Sequence, residues 1–156
     1  MRSRPKSTYM LRICAVLLAT ALLAGCGGGG GSSDVTKIKQ TLTRYFSAFG
    51  AGDGATACSL FTQAGQAAFE HTVPGTTAGR CAQIVTFIGA GLTPPTKQAL
   101  ESAQIGKINV VAGTATVQVA DVTATSGSFA AFPRLKAGSP PYVLTKQPDG
   151  SWKIAG

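Results

Sequence analysis

The residues able to do acid–base or nucleophilic chemistry in this 156-residue chain are few: six acids, one histidine and four cysteines. A histidine can act as general base near neutral pH. A carboxyl in an apolar site can be tuned into a base or a neutral donor. Four of the acids have local duties. Asp34 and Asp53 stand at the start of helical stretches and suit N-caps. Asp149 precedes Gly150 in a turn, and Glu101 lies in a polar stretch. That leaves Asp121, at the end of the apolar face of an alternating run, and the adjacent Glu70 and His71. Adjacent residues on a strand point to opposite faces, so Glu70 and His71 would not form a dyad there. Asp121 and His71 are therefore the two pocket candidates, and no catalytic residue is assigned. No GxSxG, HExxH or phosphate-loop pattern is present. With one histidine and no CxxC, neither a metal site nor a cofactor is expected.

The charge balance excludes less than its size suggests. The formal net charge is +8, but Arg2, Arg4, Lys6 and Arg12 all precede an apolar run. The remainder holds ten Lys and Arg against six Asp and Glu, a net +4. Those ten are scattered and not interleaved with aromatics, so no nucleic-acid partner is expected.

Of the four thiols, Cys26 has the most specific surroundings. Ile13–Leu23 is apolar apart from Thr20, eleven residues in all. That is too short to span a bilayer, which takes about 20 apolar residues, and it fits the apolar part of an export signal behind four cations. The following Leu23-Ala24-Gly25-Cys26 resembles a bacterial lipobox. The resemblance implies cleavage before Cys26 and transfer of a diacylglycerol to its thiol. Two acyl chains anchor stably where one binds reversibly. Gly27–Ser33 is a flexible coil whose seven residues reach about 15 Å on average. The expected organisation is thus a signal peptide at 1–25, a lipidated cysteine and tether at 26–33, and a folded domain at 34–156, held on the cell membrane and facing away from the cytoplasm. An ordinary cleaved signal with a coincidental cysteine and an uncleaved helix are the alternatives. Cys14 lies in the apolar run and would be lost with it.

Export puts Cys58 and Cys81 in an oxidising compartment, where an even pair reads as a disulfide. Closing that loop would stabilise the domain by about 3 kcal/mol in the chain-entropy model. Two free buried thiols are the alternative.

Positioning these residues falls to helices first and strands second. Val35, Ile38, Leu42, Tyr45, Phe46 and Phe49 recur at helical spacing, predicting a helix over 34–49 that ends at Gly50. Asp53 caps a second helix to about Phe61. Residues 62–68 extend it or form a turn, and 69–77 reads as a loop or short edge strand. A third helix spans 79–90, stopped by Thr93-Pro94-Pro95, and 96–102 is one loose turn. The period then changes to two. Lys107–Val111 and Thr114–Val122 flank Ala112-Gly113 as a hairpin. Phe129–Leu135 is a weaker strand, at an edge because of Pro133. Tyr142–Lys146 and Ser151–Ile154 form a second hairpin. Helices followed by antiparallel strands predict an α+β fold.

The stretch "YFSAFGAGDGATAC" closing the first helix, and the terminal "DGSWKIAG", resemble the nuclear transport factor 2-like superfamily, with its SnoaL-like and ketosteroid isomerase-like members, over 34–156. The resemblance implies a cone of three helices wrapped by a curved antiparallel sheet, with a pocket at the wide end and Trp152 packed between sheet and helix. It also matches the placement of Cys58 and Cys81, and related folds pair through the sheet as homodimers. Some members are isomerases, cyclases or dehydratases. Fold alone does not confer activity, and no complete constellation is matched. The expectation is a non-enzymatic membrane lipoprotein that binds a small apolar ligand or serves as a scaffold. A pocket enzyme using Asp121 or His71, and a module binding envelope proteins through its sheet, are the alternatives. The cone is either open to an apolar molecule or filled by Phe61, Phe69, Phe87 and Phe129.

Overall fold

The computed structural model describes residues 31–156. Cys26, the apolar run and most of the glycine tether lie outside the described residues. No helix among the described residues is long and apolar enough to cross a membrane.

The first helix, α1 (Ser32–Ala51), buries Ile38, Leu42, Tyr45, Phe46 and Phe49, the stripe the spacing predicts. Its ends differ from expectation. It starts at Ser32 without a side-chain cap, so Asp34 lies inside the first turn. Its stop is not Gly50, which stays helical against Leu100. Gly52 ends the helix instead: with φ of 72° it returns its N–H to the carbonyls of Ala48 and Phe49. That left-handed geometry favours glycine.

Among the described residues there are five helices, not three. Asp53 caps α2 (Gly54–Ser59) as expected, its Oδ1 accepting the Thr56 N–H at 3.0 Å. That helix ends before Phe61, because Thr62 caps a new one, α3 (Gln63–His71), by accepting the Gly65 N–H at 2.9 Å. The expected loop or edge strand at 69–77 is therefore helix through His71. Pro74-Gly75 takes over only beyond it. The disulfide joins Cys58 of α2 to Cys81, the first residue of α4 (Cys81–Gly91), with Cα atoms 6.0 Å apart. The two prolines after Thr93 end α4 but also start α5 (Pro94–Glu101). Proline suits the first helical turn, where its missing N–H has no intrahelical partner to lose. The single loose turn is thus an eight-residue helix packed on α1.

The strands form two antiparallel sheets. β2 (Asn109–Val111), β3 (Thr114–Val117), β5 (Tyr142–Lys146) and β6 (Trp152–Ile154) run in the order β2-β3-β5-β6. Both predicted hairpins are there. The β2–β3 turn has positive φ at Ala112 (47°) and Gly113 (78°), matching a right-twisted hairpin. A separate pair joins β1 (Ala103–Ile105) to β4 (Val122–Ala124). The expected strand 114–122 ends at Val117, where a short 3₁₀ turn, Val119–Asp121, redirects the chain into β4. The strand expected at 129–135 is absent. Pro133 has no N–H for a ladder, and 133–135 forms a 3₁₀ turn that presses Phe132 into the core. The α+β class is as predicted.

Candidate functional site

The interior of the described residues is packed with aromatic rings. Tyr45, Phe46 and Phe49 of α1 meet Phe61, Phe69, Phe132 and Tyr142 in a chain of tilted and edge-to-face contacts, ring centroids 5.0–6.5 Å apart. Phe61 and Phe69 stack at 5.8 Å. All seven are buried. The sequence expectation of Phe61, Phe69, Phe87 and Phe129 as filling is half right. Phe129 only packs against the core, and Phe87 is 83% exposed. The inward face of α4 is set by Cys81, Ile84, Val85 and Gly89, and Phe87 falls on the other side of the helix.

Burial raises the hydroxyl pKa of both Tyr45 and Tyr142, so at neutral pH both are uncharged donors. The Tyr142 Oη is buried without a hydrogen-bond partner. The Arg134 guanidinium lies 5.3 Å from the Tyr142 ring centroid, a cation–π contact that closes the cluster from the 3₁₀ turn.

The two pocket candidates are not brought together. His71 is exposed at the last position of α3. Asp121 is half-buried at the end of the 3₁₀ turn, not on a strand face, and its carbonyl accepts the Gly106 N–H at 2.7 Å. Neither lines the two grooves described below. Among the described residues no group of three His, Cys, Asp or Glu side chains could hold a metal ion.

The acid that does have a built environment is Glu70, which the sequence pairs only with His71. It is 5% exposed. Its carboxylate accepts the Gly79 N–H at 3.0 Å and the Cys81 N–H at 2.7 Å. Glu70 thus caps the start of α4 from a different helix, beside the disulfide. A carboxylate there satisfies orphan donors and suits the positive helix end. A cap eleven residues away in sequence leaves no local signal.

Asp34, read from sequence as a cap, is instead the hub of a second polar cluster. Its Oδ2 accepts from Lys146 Nζ at 2.9 Å and its Oδ1 from the Trp152 indole N–H at 3.2 Å. These bonds, the Lys146 one first, hold the Asp34 carboxyl below its ordinary range. Trp152 is buried between hairpin and helix, as expected for a packing residue. Lys37 Nζ donates to the Gly150 carbonyl at 3.0 Å, and the Thr41 hydroxyl to the Trp152 carbonyl at 3.2 Å. The β5–β6 hairpin is thereby fastened along the N-terminal half of α1.

Among the described residues, two open grooves stand out. One, of about 440 Å³, lies between α1 and this hairpin and is lined by Lys37, Arg44, Asp149 and Lys153, among others. The other, of about 640 Å³, lies between α2 and α4 and is apolar, lined by Gly54, Ala55, Ala82, Ala90 and the exposed Phe87. The helices approach closely there: a Cβ on Gly54 would sit 2.0 Å from the Ala82 carbonyl oxygen.

Compared with protein-family models, with curated proteins and with solved structures, the chain matches none.

Proposed function

We propose that this chain is a lipoprotein held on the cell membrane by a lipid on Cys26. Its folded part is a nuclear transport factor 2-like domain outside the cytoplasm, serving as a non-catalytic scaffold rather than as an enzyme. One observation carries the scaffold reading: the interior is occupied by seven aromatic side chains, with Arg134 closing one side. Helices preceding an antiparallel sheet, with the disulfide between α2 and α4, support the fold kinship. The lipobox residues Leu23-Ala24-Gly25-Cys26 support the anchor. The exposed His71 and the turn-bound Asp121 give no support to a pocket enzyme.

Native mass spectrometry of the exported, oxidised protein tests the scaffold reading. The expected mass is unchanged by denaturation beyond loss of bound detergent. A small apolar molecule that copurifies and is lost on denaturation would overturn it in favour of ligand binding. Loss of a measured turnover in Asp121→Asn or His71→Ala would overturn it in favour of an enzyme.

The partner-binding alternative is favoured by a different surface from the sheet. α4 has no charged residue along its eleven positions and displays Phe87 beside the apolar groove. A partner docked there would be released by Phe87→Ser without loss of thermal stability. Pairing of two copies through the sheet would use the β2 edge, where Val111 is exposed. Sedimentation of Val111→Lys against wild type reads that directly.

A further inference from the structure

Of the five helices among the described residues, α2 and α4 are the two without Asp, Glu, Lys or Arg. They pack side by side, joined by the Cys58–Cys81 bond. The described residues as a whole carry ten Lys and Arg against six Asp and Glu, a net +4. α4 turns Gln83, Thr86, Phe87 and Ala90 to solvent. Residues spaced in this way form one stripe along a helix. Phe87, 83% exposed, stands out from that stripe. Beside its ring lies the apolar groove of about 640 Å³, lined on the α2 side by Gly54 and Ala55. The one charged residue in that lining is Asp53, whose Oδ1 already accepts the Thr56 N–H at 3.0 Å. Benzene fits a cavity of about 150 Å³, so the groove has room for a phenyl ring.

One face thus carries both a protruding ring and a hollow able to take one. A two-fold axis sets such a face against itself. A charged face would then meet its own sign, which costs binding energy. The α2–α4 face has no such conflict, although the domain is cationic. Gln83 and Phe87 are one helical turn apart, about 6 Å along the axis. With the two-fold axis between them, antiparallel α4 helices would set each Phe87 over Ala55, Ala82 and Gln83 of the other copy. A phenylalanine side chain has about 150–250 Å² to bury. Two inserted rings, with the groove surface they cover, remove on the order of 600 Å². Stable interfaces start near about 1,200 Å². The contact is therefore reversible and populated where copies are crowded, not an obligate dimer.

We propose that two copies of this chain pair through α4, each Phe87 entering the other's α2–α4 groove about a two-fold axis. This rests on the reading of α4 as a contact surface given above, and names its partner. It is independent of the lipid anchor. Since Asp53 is the one charge lining the groove, salt should strengthen the pairing, by screening two net-positive copies from one another. A charge-driven contact would respond in the opposite direction.

The test places the photoreactive benzoylphenylalanine at position 87 of the full chain, with two differently tagged forms coexpressed in a bacterium. Irradiation should give an adduct of twice the mass that carries both tags. Its cross-linked peptide should contain residues 52–55 or 82–90 of the second copy. The same group at the exposed Val111 should give a small fraction of that yield. Ala55→Arg in both forms puts an unpaired charge in the contact and should lower the position-87 adduct by about tenfold or more. Ala55 is exposed, so the Tm should not change. With Ala55→Arg in one form alone, adducts carrying both tags should be those in which that form supplies position 87. Equal yields from positions 87 and 111 would overturn the α4 pairing in favour of the sheet edge or chance collision. Adducts with other proteins alone would overturn the second copy and keep the contact surface. Adducts with lipid alone, or none from position 87, would overturn both. In the purified chain, a yield that falls as salt is raised would refute the uncharged contact.

Discussion

The buried carboxylate of Glu70 offers the sharpest test of how the helical half is held. Replacing it by alanine removes the acceptor for two backbone donors at the head of α4. An orphaned buried donor costs about 1–3 kcal/mol, and a solvated one far less. Cys81 is 3% exposed, so its N–H carries nearly the full penalty. Gly79 is exposed, and water can replace its partner. Loss of a negative charge from the positive end of α4 adds about 0.3–1 kcal/mol. Glu70→Ala should therefore destabilise the domain by about 2–3 kcal/mol. For a domain of this size that is a fall in Tm of about 8–12 °C. Glu70→Gln keeps one carbonyl acceptor and should lose about half as much. The assay is thermal unfolding by circular dichroism with the Cys58–Cys81 bond intact, so that chain entropy is the same in all variants. A Glu70→Ala protein within about 0.5 kcal/mol of wild type, the ordinary range for surface substitutions, would refute the capping role.

Other expectations follow from single contacts. Tyr142→Phe removes a buried hydroxyl without a hydrogen-bond partner while keeping the ring under Arg134, so its stability in urea should equal or exceed wild type. Gly54→Ala drives a methyl into the Ala82 carbonyl and should cost about 1–3 kcal/mol in the same titration. Replacing Cys58 and Cys81 together by alanine should cost about 3 kcal/mol in the chain-entropy model. The Asp34 carboxyl is held below its ordinary 3.8 by Lys146 and Trp152. The stability it contributes is thus present above that value and lost as the pH falls through the lowered one. The chain has a single tryptophan, so Trp152 fluorescence should titrate below pH 3.8 in wild type and lose that transition in Asp34→Asn.

What the sequence disclosed was what local patterns encode. The stripe from Ile38 to Phe49 marks the buried face of α1 because an amphipathic helix repeats every 3.6 residues. The Asp53 cap and both hairpin turns have short-range chemistry of their own. The prolines at 94 and 95 misled, because the same residue that cannot continue one helix readily begins another. Thr62 was passed over as a cap, and with it α3. Where the strand breaks after Val117, Val119–Asp121 packs against Pro133–Leu135, a long-range contact with no period to betray it.

The candidate site was legible in parts for the same reason. The cysteine pair followed from compartment and count. Phe87 stays out of the core because Cys81, Ile84 and Val85 define the inward side of α4. Glu70 and Asp34 act across helices and across the length of the chain, Asp34 on Lys146 and Trp152. Neither partnership has a spacing that a one-dimensional reading could detect.

The proposed lipid on Cys26 would hold a braced scaffold at the membrane. Intact-mass analysis of the mature protein from an expressing bacterium tests it most directly. The account requires a chain that begins at Cys26, carries a diacylglycerol on that residue, and is two mass units lighter than its fully reduced form through the Cys58–Cys81 bond. A mature chain with an unmodified Cys26, or one that begins elsewhere, would contradict it.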